Sequence, residues 1–145
     1  MNPRYLQVAK TVSAWSKDPS RQVGAVFVKD DVILSTGYNG FPRKFDDSPE
    51  LYSDKDIKSK FIVHAEMNAI FNAARNGTSL EGSTLYCWGL PVCVECSKAL
   101  IQVGVKRIVW DCDEAVPSKW NDQMHMAKQM LDYINVPVEK VNSDV

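Results

Sequence analysis

The sequence lacks an excess of charge of either sign. Its 145 residues include 17 lysines and arginines against 18 aspartates and glutamates, which gives a net charge of −1. A protein that follows a long phosphate backbone usually has a clear basic excess. The charge balance therefore argues against a polynucleotide partner and favours a small substrate.

Long apolar runs are also missing. No segment approaches the roughly 20 apolar residues of a membrane-spanning helix, and no apolar stretch follows a basic start, so we expect neither insertion nor secretion. Four cysteines are too few for a disulfide framework in a chain this long. These features predict a single domain over residues 1–145 in a reducing cytoplasm, which would be that of the host cell for a viral chain.

Histidine is scarce too, with two residues in the chain, but one of them belongs to a motif. The segment His64-Ala65-Glu66 is followed by Cys93 and Cys96, so that one imidazole and two thiolates could bind a zinc ion. A zinc ion with three protein ligands keeps its fourth position for water, as in catalytic sites. Glu66 would move protons there. The predicted metal ligands are His64, Cys93 and Cys96, and the predicted catalytic residue is Glu66.

The first half of this motif predicts the start of a helix. Residues two apart do not share a helix face, so His64 and Glu66 can meet around one ion only beside the first turn. Helix formers dominate from Ala65 onward, and we predict a helix from about His64 to about Asn76, ended by Gly77.

The second half of the motif predicts another helix start. Cys93 and Cys96 are three residues apart, which places both sulfurs on one side of a helix that starts near Pro91 and reaches Gln102. Two helix N-termini would then point at the metal, and their partial positive charge favours thiolates.

Two other interpretations of the cysteine pair remain open. A structural zinc site would need a fourth protein ligand, which Cys87, Cys112 or His125 could supply. A redox dithiol protein would form a disulfide between Cys93 and Cys96. Glu66 favours the catalytic interpretation, because a structural site has no use for it.

The rest of the chain predicts strands that alternate with helices. This order implies an α/β fold, in which a sheet with parallel pairs has helices on both faces. The predicted helices outside the motif cover residues 3–17 and 120–133, and the predicted strands cover 23–29, 32–36, 83–88, 107–110 and 136–141. The first two strands form a hairpin, and Gly24 indicates close packing against its backbone.

Hydrophobic periodicity disappears between Gly37 and about Lys60. Turn residues open this segment, and its length predicts a binding loop or a flexible one. Asn39 is the side chain there best suited to bind a ligand, and a left-handed turn position is an equally good interpretation.

Four stretches, in order and spacing, resemble the deoxycytidylate deaminase family of the zinc-dependent cytidine deaminase superfamily. They cover most of residues 5–110, and the Gly-Tyr-Asn-Gly segment separates this family from its relatives. The resemblance implies a three-layer α/β/α fold with a mixed five-stranded sheet. The stretches are Ser16-Lys17-Asp18-Pro19 with Val23-Gly24-Ala25, Gly37-Tyr38-Asn39-Gly40-Phe41-Pro42, His64-Ala65-Glu66-Met67-Asn68-Ala69-Ile70, and Cys93 to Gln102.

The resemblance implies hydrolytic removal of the 4-amino group of dCMP, which gives dUMP for thymidylate synthesis and ammonia. Glu66 would act first as a base and then as an acid. Asn39 would bind the deoxyribose, the backbone at Ala65 would approach the base carbonyl, and Val23 would pack near the pyrimidine. The 5′-phosphate has no assigned partner, and the basic candidates are Arg21, Arg43, Lys44 and Lys119.

Regulation and assembly are implied in the same way. Family members are typically homo-hexamers that dCTP activates and dTTP inhibits, with magnesium. The effector would lie near Tyr38, Asn39, Gly40 and Phe41, and Arg75 would lie near a subunit contact.

The chain departs from the family pattern at two positions. Val92 separates Pro91 from Cys93, which are adjacent in the family, and Lys44 stands where the family often has glycine. The alternatives are a superfamily deaminase that acts on free cytidine, guanine or a tRNA adenosine, and a non-catalytic zinc-binding module.

Overall fold

The computed structural model describes residues 4–141 and has one five-stranded sheet with helices on both faces. The elements in chain order are α1 (Arg4–Ser13), β1 (Gly24–Lys29), β2 (Val32–Tyr38), α2 (Pro49–Ser53), α3 (Lys55–Phe61), α4 (Ala65–Arg75), β3 (Thr84–Trp88), α5 (Val94–Gln102), β4 (Arg107–Asp111), a 3-10 turn (Ser118–Trp120), α6 (Asn121–Tyr133) and β5 (Val138–Lys140). Within the described range, no helix has the length and apolar character needed to cross a membrane.

The sheet is mixed, as expected. Its strand order is β2-β1-β3-β4-β5. The pairs β1–β2 and β1–β3 are antiparallel, whereas β3–β4 and β4–β5 are parallel. The β1–β2 turn has positive φ angles of 52° at Asp30 and 61° at Asp31, the conformation of tight hairpin turns.

Alternating side chains along each central strand separate the core into two layers. Ala25 and Phe27 of β1 belong to a cluster that includes side chains of α4, α5 and α6, whereas Val26 and Val28 belong to a second cluster with α1. Strands β3 and β4 alternate in the same way. Because a strand presents successive side chains to opposite faces, both faces of the sheet are buried, which confirms the three-layer architecture.

Two glycines let helices approach the sheet closely. A Cβ atom at Gly24 would lie 2.0 Å from the carbonyl oxygen of Ala9 in α1. On the other face, a Cβ atom at Gly37 would lie 2.3 Å from the backbone nitrogen of Ala69 in α4. The close packing predicted at Gly24 is therefore present, and a matching contact holds α4 against β2.

Several predicted boundaries require correction. Helix α1 ends at Ser13 and not at residue 17, and its predicted start at residue 3 lies outside the described residues. Pro91 precedes α5 and is not part of its first turn. The segment after Gly37 contains two short helices, which the sequence did not predict because α3 buries no residue and so shows no apolar stripe.

We expect Gly24→Ala to lower the free energy of unfolding by about 1–3 kcal/mol, because the methyl group collides with the backbone of α1. Urea denaturation would measure the change. Gly40→Ala is the matched control, since its Cβ would lie 3.8 Å from the nearest atom, Tyr52 Oη. Equal midpoints for the two variants would contradict the close approach.

Candidate active site

Two helix N-termini meet at one point and bring the predicted ligands together. His64 is the N-cap residue of α4 and Cys93 is the N-cap residue of α5. His64 Nδ1 lies 3.5 Å from Cys93 Sγ and 3.4 Å from Cys96 Sγ. The three ligand atoms all lie within 4.8 Å of one another. The structure therefore gathers ligands that stand 29 and 32 positions apart in sequence.

The geometry of this group fits a zinc ion. A tetrahedral zinc ion with Zn–N and Zn–S bonds of about 2.0 and 2.3 Å separates a nitrogen ligand from a sulfur ligand by about 3.5 Å. The two nitrogen–sulfur distances, 3.5 and 3.4 Å, match this separation. One nitrogen and two thiolates are also ligands that zinc prefers.

Within residues 4–141, no fourth ligand joins the group. Cys87 is buried, and its thiol donates to the carbonyl oxygen of Leu90, whereas Cys112 donates to that of Glu114. His125 is exposed on α6. All four cysteines are free thiols, so the disulfide expected of a redox dithiol protein is not present. This arrangement supports a catalytic site over a structural one, because one coordination position stays available.

The two thiols of the group differ in pKa, which is lowered at Cys93 and raised at Cys96. The Cys96 side chain and its backbone N–H both donate to Cys93 Sγ, which lowers the pKa of Cys93. The same hydrogen bond and burial raise the pKa of Cys96. The hydrogen bond with Cys93 raises the pKa of His64. A divalent cation would deprotonate both thiols, because thiolates are the metal-binding form.

Glu66 lies in the first turn of α4 and is 4% exposed. Burial raises the pKa of its carboxyl group, and the neighbouring His64 acts in the opposite direction. A carboxylate next to a helix N-terminus also interacts favourably with the helix dipole. The predicted catalytic residue is therefore buried next to His64, Cys93 and Cys96.

The elements around α5 hold its ligand-bearing turn in place. Gln123 of α6 accepts a hydrogen bond from the backbone nitrogen of Val94 at 3.0 Å, and Ser97 Oγ donates to the Cys93 carbonyl oxygen at 2.8 Å. The additional residue Val92 is buried in the core, 3% exposed.

Trp120 is a site residue that the sequence did not single out. Its ring centroid lies 6.3 Å from that of His64, and its Nε1 donates to the Pro91 carbonyl oxygen at 3.1 Å. In the sequence, Trp120 could have been noticed as an aromatic residue after β4 that directly follows Lys119, one of the basic phosphate candidates. Tryptophan presents an apolar face and a hydrogen-bond donor together, which suits the wall of a pocket.

The residues predicted to bind substrate lie at two places around the site. Val23 and Ala65 belong to the same buried cluster as Val92, next to the ligands. Asn39 is 7% exposed and has no left-handed backbone. Its Nδ2 donates to Asp18 and to the Arg21 carbonyl oxygen, and its Oδ1 accepts from the Val23 backbone nitrogen. Asn39 therefore connects the two loops that flank the site.

The four basic phosphate candidates separate into two groups. Arg21 contacts the carbonyl oxygens of Gly89 and Ala115, and Lys119 is exposed beside Trp120. Arg43 and Lys44 instead line a cavity of about 230 Å³. Lys44 has a φ of 75°, the left-handed conformation that glycine adopts freely, which explains the family's preference for glycine there.

That cavity also contains the residues predicted to bind an effector. Tyr38, Asn39, Gly40 and Phe41 line it together with Lys17. Arg75 does not line the cavity, and it is exposed at the end of α4. Asn39 thus belongs both to this cavity and to the hydrogen-bond network that joins Asp18, Arg21 and Val23.

Comparisons with known proteins agree with this geometry. The family model described as the cytidine and deoxycytidylate deaminase zinc-binding region matches residues 2–112. The chain is 39% identical over 142 residues to a Caenorhabditis elegans protein named as a probable deoxycytidylate deaminase, with 95% of this chain and 68% of the relative covered. It is 33% identical over 178 residues to the deoxycytidylate deaminase of Enterobacteria phage T4, with 94% and 90% covered.

A solved structure shows the same fold. It is the dCMP deaminase of cyanophage S-TIM5 in complex with dCMP and dUMP, which is 28% identical to this chain. The superposition has a TM-score of 0.74 and covers 97% of this chain and 99% of the phage chain.

We expect the purified protein to contain about one zinc ion per chain, and Cys93→Ser to lose it, because a hydroxyl group is a much poorer zinc ligand than a thiolate. Metal analysis by mass spectrometry would measure zinc in both proteins. Cys87→Ser is the matched control and should retain zinc, since Cys87 lies outside the ligand group. Full zinc occupancy in Cys93→Ser would contradict the assigned centre.

Proposed function

The chain belongs to the family of cytidine and deoxycytidylate deaminases, and we propose that it hydrolyses dCMP to dUMP and ammonia. The proposal rests on one observation above all: three zinc-type ligands, with no fourth among the described residues, beside the buried carboxylate of Glu66. The relatives named deoxycytidylate deaminase support dCMP as substrate. The phage structure that contains dCMP and dUMP supports it as well.

His64, Cys93 and Cys96 would hold the zinc ion, which supplies an activated water for attack on C4 of the cytosine ring. Glu66 takes a proton from the attacking water and delivers it to ring nitrogen N3. It then takes the remaining proton from the hydroxyl group added at C4 and passes it to the 4-amino group, so that the C4–N bond breaks, a carbonyl group forms at C4 and ammonia leaves. One carboxylate thus acts as base and then as acid, which needs a group fixed within reach of both positions.

The substrate would lie between the loop that ends at Val23 and the first turn of α4. Val23 would pack against the pyrimidine, and the backbone at Ala65 would approach the base carbonyl. Both Nδ2 hydrogens of Asn39 are used within the protein, but its Oδ1 has a second lone pair. That lone pair would accept a hydrogen bond from a deoxyribose hydroxyl.

We expect Glu66→Gln to bind zinc normally and to lose at least about 100-fold in turnover, because the amide cannot transfer the proton. Ammonia release from dCMP would measure turnover, and metal analysis would measure zinc. Glu95→Gln on α5 is the matched control, since that side chain is 81% exposed and its ion pair within the described part of the chain is with Lys98. Near-normal turnover of Glu66→Gln would remove Glu66 from the catalytic role.

A substrate panel separates this function from its nearest alternatives. We expect ammonia release from dCMP to exceed that from cytidine, guanine or tRNA. The net charge of −1 disfavours a tRNA substrate, which usually requires basic surface. Faster release from a nucleoside than from dCMP would assign the chain to another deaminase of the superfamily. No release from any substrate, with zinc bound, would indicate a non-catalytic zinc module.

We further propose that dCTP activates and dTTP inhibits the enzyme through the cavity around Tyr38 to Phe41. Three basic side chains line this cavity, Lys17, Arg43 and Lys44, and they suit a triphosphate. Magnesium would accompany the triphosphate as the counter-ion of its phosphate oxygens.

We expect dCTP to raise, and dTTP to lower, the rate of dCMP turnover at subsaturating substrate. Arg43→Gln should weaken the dCTP response, because it removes a charge from the cavity wall. Lys128→Gln is the control, since Lys128 is exposed on α6 and lies outside this cavity. A rate that neither triphosphate changes would remove regulation from the proposal.

The assembly proposed for the chain is a homo-hexamer of single deaminase domains in the cytoplasm, where dUMP feeds thymidylate synthesis. Large apolar side chains exposed on the single chain support burial in an assembly. Those near the effector cavity are Trp15, Tyr38, Phe45 and Phe61, and Phe71 lies on α4, as does Arg75.

A further inference from the structure

A partly buried ion pair connects α3 to the loop beside the proposed substrate site. Lys58 Nζ lies 2.8 Å from Asp18 Oδ1, and the side chains are 21% and 5% exposed. The other described ion pair that involves α3 joins Lys60 to Asp56, and both of those side chains are at least 66% exposed. The Lys58 pair is therefore shielded from water, where a charged hydrogen bond is much stronger than on the surface.

The Asp18 carboxylate is the centre from which the loop takes its shape. Its Oδ1 also accepts from the backbone nitrogens of Ser20 at 2.8 Å and Arg21 at 3.4 Å, and its Oδ2 accepts from Asn39 at 3.3 Å. An aspartate that binds backbone N–H groups two and three residues ahead fixes a turn. Lys58 supplies the one formal positive charge in this set of contacts.

The turn that Asp18 fixes leads directly to Val23 at the proposed substrate site. Arg21 Nε donates to the Gly89 carbonyl oxygen at 3.0 Å, and the next strand begins after Val23. The Val23 backbone nitrogen donates to Asn39 Oδ1 at 2.9 Å. The position of Val23 is thus set by bonds that begin at Asp18, and those bonds depend on where its carboxylate points.

We propose that Lys58 is a positioning residue for substrate binding, which fixes the loop of residues 20–23 by pairing with Asp18. This inference rests on the proposed function for the identity of the substrate. Lys58 itself lies on α3 and bonds to Asp18, which in turn bonds to Asn39, so it acts through these two residues. The short helix α3 is therefore part of the framework of the active site and not only a connection between β2 and α4.

The test uses Lys58→Met, which removes the charge and keeps the length of the side chain. We expect KM for dCMP to rise about tenfold or more, the usual effect of losing a hydrogen bond to a charged group. We expect kcat to change by less than about threefold and zinc content to stay normal, since Glu66 and the ligands lie on other elements. Lys58→Arg keeps a charged donor and should recover most of the affinity.

Lys60→Met is the matched control, because it removes a lysine from the same helix and leaves the loop untouched. We expect it to have the kinetics of the unchanged protein. In the double variant Asp18→Asn/Lys58→Met, KM should rise by less than the product of the rises in the two single variants, because both substitutions break the same ion pair. Additive losses, or Lys58→Met kinetics equal to those of Lys60→Met, would overturn the proposal.

Hydrogen exchange distinguishes a local effect from loss of the fold. In Lys58→Met, amides of residues 18–23 should exchange faster, whereas those of β3 should be unchanged. Faster exchange throughout, or a variant that cannot be recovered folded, would overturn the proposal, because the pair would then stabilise the whole chain. If the unchanged protein does not deaminate dCMP, the proposed function fails, and the exchange measurement still tests the role of Lys58.

Discussion

Three ligand atoms on two separate helices must meet within 4.8 Å, and the rest of the structure satisfies that constraint. A helix alone can join residues three or four apart, but not His64 and Cys93, so the sheet has to set both helix starts. Strand β3 leads through the turn at Gly89 to Cys93. The pairing of Gly40 with Val63 fixes the approach to His64. A shift of sheet register would separate the ligands before it disrupted either helix.

Charge in the site imposes a second constraint. Burial raises the pKa of Glu66, and the pair of thiols holds a proton between Cys96 and Cys93. His64, Cys93 and Cys96 would bind a divalent cation with loss of that proton, and the cation would offset the negative charge beside the carboxylate. Metal binding would then stabilise the starts of α4 and α5 together, because each contributes a ligand. The same cation and the helix dipoles would favour the ionised form of Glu66.

The sequence was sufficient for the parts of the fold that depend on local pattern and on side-chain chemistry. The start of α4 follows from the motif, since a histidine and a glutamate two apart meet one ion only at a helix end, whereas α5 begins at Val94 and not near Pro91 as predicted. Trp120, Gln123 and Lys58 were missed because each acts on a segment far away in the chain. Helix α3 had a capping signal, with Asp54 accepting from Asp56 and Ile57, but no buried face. Periodicity cannot detect a helix that buries nothing.

Asn39 lies where the cavity around Tyr38 to Phe41 meets the loop of residues 20–23, and this position bears on the proposed regulation. The next residue, Gly40, pairs with Val63, which directly precedes His64. The Asn39 side chain bonds to the Val23 backbone nitrogen and to Asp18. A ligand in the cavity can change substrate affinity only by favouring one arrangement of groups that both sites contact. Asn39 is such a group, and Lys58 restrains its partner Asp18. Regulation through this cavity would therefore alter the affinity for substrate more than the chemistry at Glu66, which lies on α4 and outside this network.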